Sequence, residues 1–113
     1  MLEIRNVILP NKSKESIIIG GSRIVNIGSN FLTEQFINGN NLLALPGLID
    51  PHVHFRTPGG EHKEDWEHGI KAAIAGGVTT VFDMPNTNPT LTTAKRLEKK
   101  SEMVGERDID YRF

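Results

Sequence analysis

The sequence predicts an α/β protein in which an all-β segment precedes parallel strands that alternate with helices. Two observations predict it. Residues 1–45 carry short apolar or β-branched runs punctuated by glycine and asparagine. From Pro46 onward, β-type runs alternate with stretches of helical periodicity.

The elements follow in order. Leu2 to Ile8 reads as a strand with Leu2 and Ile4 on one face and Glu3 and Arg5 on the other. Ser16-Ile17-Ile18-Ile19 is a short β-branched run, Gly20-Gly21 a hairpin-type turn, and Arg23 to Ile27 the returning partner, with imperfect alternation. Turns are expected at Gly28-Ser29-Asn30 and at Asn38-Gly39-Asn40-Asn41, then a further apolar run at Leu42-Leu43-Ala44-Leu45. Pro46-Gly47 opens a buried strand beginning at Leu48-Ile49.

A helix is expected from about Lys63 or Glu64. Trp66, Ile70, Ala73 and Ile74 form its apolar stripe, Glu64 and Asp65 sit in its first turn, and Gly76-Gly77 stops it. Val78 to Phe82 is a second strand, apolar on both faces as in a buried parallel sheet. Thr92 or Thr93 caps a second helix that ends at Gly105. Its Lys95, Arg96, Lys99 and Lys100 read as a solvated face, and Ile109 to Phe113 as the start of a third strand.

Composition narrows the function. The 113 residues carry 13 Lys+Arg against 14 Asp+Glu, so no charge excess argues for nucleic acid or an anionic membrane surface. There is no cysteine, which rules out disulfides and thiolate ligands and leaves nitrogen and oxygen donors for any metal. No signal pattern opens the chain and no apolar run approaches a membrane span, so a cytoplasmic protein is expected.

Chemistry concentrates in Asp50-Pro51-His52-Val53-His54-Phe55-Arg56. Side chains alternate along a strand, so His52 and His54 share a face, and Arg56 joins them if the chain stays extended. Two imidazoles offer half of a zinc-type site, and a guanidinium beside them suits a carboxylate. Alone, an H-x-H pair is a weak signal, because histidines often sit on surfaces or in satisfied cores. Trp66 fits core packing on the helix stripe. His68 fits a solvated face, and nothing fixes the direction of His62. Asn86, between Pro85 and Pro89, is by composition a turn residue, although it leaves the second strand at the end that carries the histidines. Asp83 reads as a hydrogen-bonding partner within its loop.

Two blocks strengthen the case. The stretch from Pro46 to Arg56, and Ala75-Gly76-Gly77-Val78-Thr79-Thr80-Val81-Phe82-Asp83-Met84-Pro85-Asn86-Thr87, together resemble the amidohydrolase superfamily, most closely dihydroorotases with a small β-domain before the barrel. The resemblance implies an incomplete TIM-type (β/α) barrel preceded by part of a small β-sandwich, with residues 1–45 in the sandwich and 46–113 in the first β/α units.

It further implies His52 and His54 as metal ligands, and His54, Arg56 and Asn86 as substrate-binding residues. One or two zinc ions are implied in the complete enzyme, with the catalytic aspartate beyond Phe113. The implied reaction is the reversible closure of N-carbamoyl-L-aspartate to dihydroorotate, a step of pyrimidine synthesis. The partner would be that small molecule, with no nucleic acid or membrane, and the full-length form leaves room for a homo-oligomer. Arg56 after the histidines and the Met-Pro-Asn-Thr block favour dihydroorotase over allantoinase or hydantoinase, while Thr57 stands where many dihydroorotases have Glu. The alternatives are one of those related amidohydrolases or a non-catalytic structural partner. A chain of this length holds too few ligands for turnover alone, so an N-terminal piece is expected.

Overall fold

The computed structural model describes residues 1–29 and 31–113, so Asn30 of the expected Gly28-Ser29-Asn30 turn lies outside the described residues. The chain forms two compact units, Met1–Pro46 and Gly47–Phe113.

The first unit is a four-stranded sheet of β1 (Leu2–Ile8), β2 (Lys14–Gly20), β3 (Arg23–Gly28) and β4 (Gln35–Asn38), in the order β3-β2-β1-β4. The hairpin forms as expected, but its turn is Gly21-Ser22, with Gly21 at φ +61° where a side chain would be strained. The imperfect alternation of β3 has a cause: its register with β2 shifts between Ile18 and Ile19.

Three features of this unit were not legible in the sequence. β4 pairs in parallel with β1, although its Gln-Phe-Ile-Asn sequence carries little strand signal. Leu42-Leu43-Ala44-Leu45 forms only a single bridge, Leu43 to Ile8, because β1 ends at Ile8 and offers nothing further to pair with. In β1 Glu3 is buried, 2% exposed, and so is Val7, whereas the apolar neighbours of Glu3, Leu2 and Ile4, are only half-buried. Arg5 Nε donates to its carboxylate at 2.8 Å, and the Thr33 hydroxyl does so at 2.8 Å. Burial pushes the Glu3 carboxyl up, but the hydrogen bonds from Arg5, Ser16 and Thr33 outweigh it and hold the group below its ordinary value. A charge can occupy an inward position once its acceptor sites are filled.

The second unit alternates β5 (Leu48–Val53), α1 (Trp66–Ala75), β6 (Val78–Asp83), α2 (Ala94–Val104) and β7 (Asp110–Arg112). Its sheet runs β5-β6-β7 and both pairings are parallel, the repeat of a β/α barrel. Phe55, Trp66, Ile70, Val81, Val104 and Ile109 form the core. Leu48 and Ile49, expected to be buried, are 56% and 64% exposed, since β5 lies at the sheet edge with β6 as its one neighbour.

α1 starts later than expected. Asp65 is its N-cap rather than a first-turn residue, and accepts the His68 backbone N–H at 2.8 Å. The His68 Nδ1 also lies 2.8 Å from the Asp65 carboxylate. That hydrogen bond and the attached charge raise His68 above its ordinary 6.5, and the hydrogen bonds from the His68 backbone and ring lower Asp65 below 3.8. The raised His68 stabilises the fold below its ordinary value and loses that contribution as pH climbs through its folded-state value. The lowered Asp65 contributes above its ordinary value and loses it on acidification. Thermal stability of wild type is therefore expected to fall, through this pair, as pH rises above the ordinary 6.5 of His68, and His68→Gln to remove that slope. A slope unchanged by the substitution in parallel melts would show that the contact contributes nothing.

Candidate functional site

β5 carries His52 on its last turn of pleat, and His54 stands one residue past Val53, where the strand ends. The Nε2 atoms of the two rings lie 3.2 Å apart, so the expected shared face is present. Backbone hydrogen bonds fix this stretch from both sides. Asp50 Oδ1 accepts the His52 N–H at 3.0 Å, the Val53 carbonyl accepts the Met84 N–H at 2.9 Å, and Asp83 Oδ1 accepts the Phe55 N–H at 3.0 Å.

Asn86 arrives from the loop after β6 and meets His54, with Oδ1 2.9 Å from Nδ1. The side-chain carbonyl can only accept, so His54 Nδ1 carries the proton and its Nε2 presents a lone pair. His52 Nε2–H then donates across the 3.2 Å gap. The same spacing suits a shared cation. Two nitrogens at about 2.0–2.1 Å from a tetrahedral zinc lie about 3.3 Å apart. Asn86 is thus placed to orient the His54 imidazole. Its amide NH₂ stays available for a substrate oxygen. Among the described residues no cluster of three or more His, Cys, Asp or Glu could hold a metal.

Arg56 departs from its expected parity. Its φ is +59°, so the chain leaves the extended conformation there and the alternation of β5 stops at His54. Such a backbone costs a non-glycine residue about 1–2 kcal/mol and persists only where neighbouring structure imposes it. The Arg56 side chain is exposed, on the loop that follows the two histidines. His62 is also exposed and bonds to neither histidine among the described residues. Asp83, expected to bond within its loop, instead holds the Phe55 N–H.

One residue of the site region was misread from sequence. Lys100, expected on a solvated face with Lys95, Arg96 and Lys99, is 2% exposed and pairs with the buried Asp83 carboxylate. The signal was its spacing: Lys100 stands four residues before the buried Val104 and so shares the inward stripe of α2.

Known proteins agree with this architecture. Residues 43–107 match the amidohydrolase family. The chain is 44% identical over 102 residues to a dihydroorotase from Halobacterium salinarum, covering 89% of this chain and 24% of that protein. It therefore spans about a quarter of the length of that curated relative. An L-hydantoinase (dihydropyrimidinase) from Arthrobacter aurescens superimposes with a TM-score of 0.85 at 24% identity, over 97% of this chain and 26% of that one. An atrazine chlorohydrolase variant from the same species, complexed with zinc and atraton, superimposes with a TM-score of 0.67 at 21% identity, over 98% and 34%. These likenesses give the fold as an incomplete TIM-type barrel preceded by part of a β-sandwich. No helix among the described residues is long and apolar enough to cross a membrane. The match over more than half of its residues places the chain in the amidohydrolase family.

Proposed function

We propose that this chain supplies the first two metal ligands and part of the substrate grip of a cytoplasmic dihydroorotase, a cyclic amidohydrolase that interconverts N-carbamoyl-L-aspartate and dihydroorotate in pyrimidine synthesis. The observation that carries the reading is the approach of the two Nε2 atoms to 3.2 Å, with His54 Nδ1 engaged by Asn86. The 44% identity to a dihydroorotase supports the substrate. Zinc is the proposed ion, as in the atrazine chlorohydrolase complex of the same fold.

In this reading His52 and His54 hold the ion through Nε2. When bound, zinc supplies Lewis acidity toward the ring amide and acidifies water near neutral pH. The Arg56 guanidinium takes the substrate carboxylate with two parallel N–H donors, and the Asn86 NH₂ adds a third. Together they hold the ring amide against the histidine pair. Two nitrogen ligands are fewer than the three that catalytic zinc sites use, so these 113 residues by themselves should not turn over substrate.

The test uses chelator-stripped protein titrated with zinc, and dihydroorotate hydrolysis by the enzyme that contains this chain in its complete barrel. His52→Ala with His54→Ala should abolish zinc uptake. Arg56→Met in the complete enzyme should raise KM while metal content stays constant. Loss of metal on Arg56→Met would overturn its assignment to substrate, and turnover of hydantoins without dihydroorotate would overturn the substrate.

A further inference from the structure

We propose that Lys100 is a positioning residue for the histidine pair, acting through Asp83 on the backbone that carries His54. The inference rests on the metal reading above. Asp83 divides its carboxylate: Oδ2 takes the Lys100 ammonium, and Oδ1 takes the Phe55 N–H at 3.0 Å. That N–H belongs to the peptide joining His54 to Phe55, beyond the end of β5. The same Asp83 ends β6, three residues before Asn86, whose Oδ1 holds the His54 ring. One buried carboxylate therefore stands behind both the backbone of His54 and the loop that orients its imidazole.

Stability alone does not account for the pair. Both side chains are almost completely removed from water, and a buried ion pair often stabilises no more than a well-packed apolar pair. What the ammonium adds is direction. With Oδ2 committed to Lys100, Oδ1 points one way, toward the Phe55 N–H. The rest of the ammonium's surroundings include aromatic faces, Phe113 at 4.7 Å and Trp66 at 5.8 Å from ring centroid to Nζ. Asp83 is its only carboxylate partner among the described residues. At the other end of the pair, Asp50 holds the His52 N–H with no cation paired to it among the described residues. The two clamps differ, and only the one beneath His54 is tied to a helix, α2, through a residue 46 positions along the chain.

The test compares wild type, Lys100→Met, and Asp83→Asn with Lys100→Met. In metal-free protein, ¹H–¹⁵N correlations of the imidazoles read the tautomer of His54. Cobalt(II) titration reads affinity, and thermal melts read stability. Wild type should show the Nδ1–H tautomer alone. Lys100→Met should show mixed tautomers and cobalt binding weaker by about 10- to 100-fold. The double variant buries no unpaired charge, so its melting midpoint should recover. Its neutral amide faces a methionine and can turn either way, so the mixed tautomers and weak binding should remain. Should Lys100→Met fail to fold, the double variant still decides. Recovery of tautomer and affinity together with the midpoint would reduce Lys100 to a structural role and overturn the proposal, as would a pure Nδ1–H tautomer in Lys100→Met. If wild type takes up no cobalt while Lys100→Met still mixes the tautomers, the metal reading falls and the positioning role stands.

Discussion

Trp66→Ala should lower the unfolding free energy by about 3–5 kcal/mol, the range for removing a large aromatic side chain from a core. The ring is 3% exposed and meets three others edge-on: Phe55 at 4.8 Å, Tyr111 at 5.1 Å and Phe113 at 5.8 Å between centroids. Each such pair adds about 0.5–1.5 kcal/mol beyond the area it buries. Those partners come from the segment after His54 and from β7 with the residue that follows it, so the ring ties α1 to two other parts of the unit. Little room exists for collapse around it. On α1, a methyl group at Gly69 would come within 2.5 Å of the Phe55 ring, so helix and ring are already in contact.

The indole Nε1 is buried without a hydrogen-bond partner among the described residues, so Trp66→Phe loses no polar contact and should cost much less than Trp66→Ala. Urea titration followed by circular dichroism measures both, since Trp66 is the one tryptophan of the chain and its fluorescence vanishes with it. A cost below about 1 kcal/mol for Trp66→Ala would show that the aromatic cluster does not hold the unit together.

Asn86→Ala is the second substitution with a large expected effect, and it reads a role that composition alone could not assign. With its Oδ1 removed, His54 Nδ1 loses its partner at 2.9 Å, and the ring becomes free to turn and to change tautomer. Loss of such an outer partner typically weakens metal binding by about 10- to 100-fold, or about 1.4–2.7 kcal/mol. Asn86→Asp should keep or strengthen zinc binding, because a carboxylate accepts the same N–H and makes the imidazole more basic. It should also repel a substrate carboxylate and raise KM in the complete enzyme. The pair of variants separates the contact with His54 from the substrate grip proposed for the same side chain. Zinc affinity measured by competition with a chromophoric chelator decides the first. Unchanged affinity in Asn86→Ala would leave only the second.

The misreadings share a physical origin. Lys100 and Glu3 are charged, and local pattern assigns charge to water. Each is buried because another part of the chain meets it: Asp83 lies 17 residues before Lys100, and Thr33 lies 30 residues after Glu3. Periodicity reports which way a side chain points but not what waits there. β4 was missed for a related reason, since its exposed residues carry no burial pattern and the strand exists through its parallel pairing with β1.

By itself the sequence determined what depends on near neighbours. The period of two placed His52 and His54 on one face, glycines marked the hairpin and the end of α1, the Thr92-Thr93 pair marked the start of α2, and the alternation of apolar runs gave parallel strands joined by helices. Tertiary structure alone decided that Asn86 meets His54 across 32 residues, that Asp83 and Lys100 pair beneath them, and that Arg56 turns out of the strand at φ +59°. These contacts join groups far apart in the chain, and only packing the second strand and its helix against the first brings them within hydrogen-bonding distance.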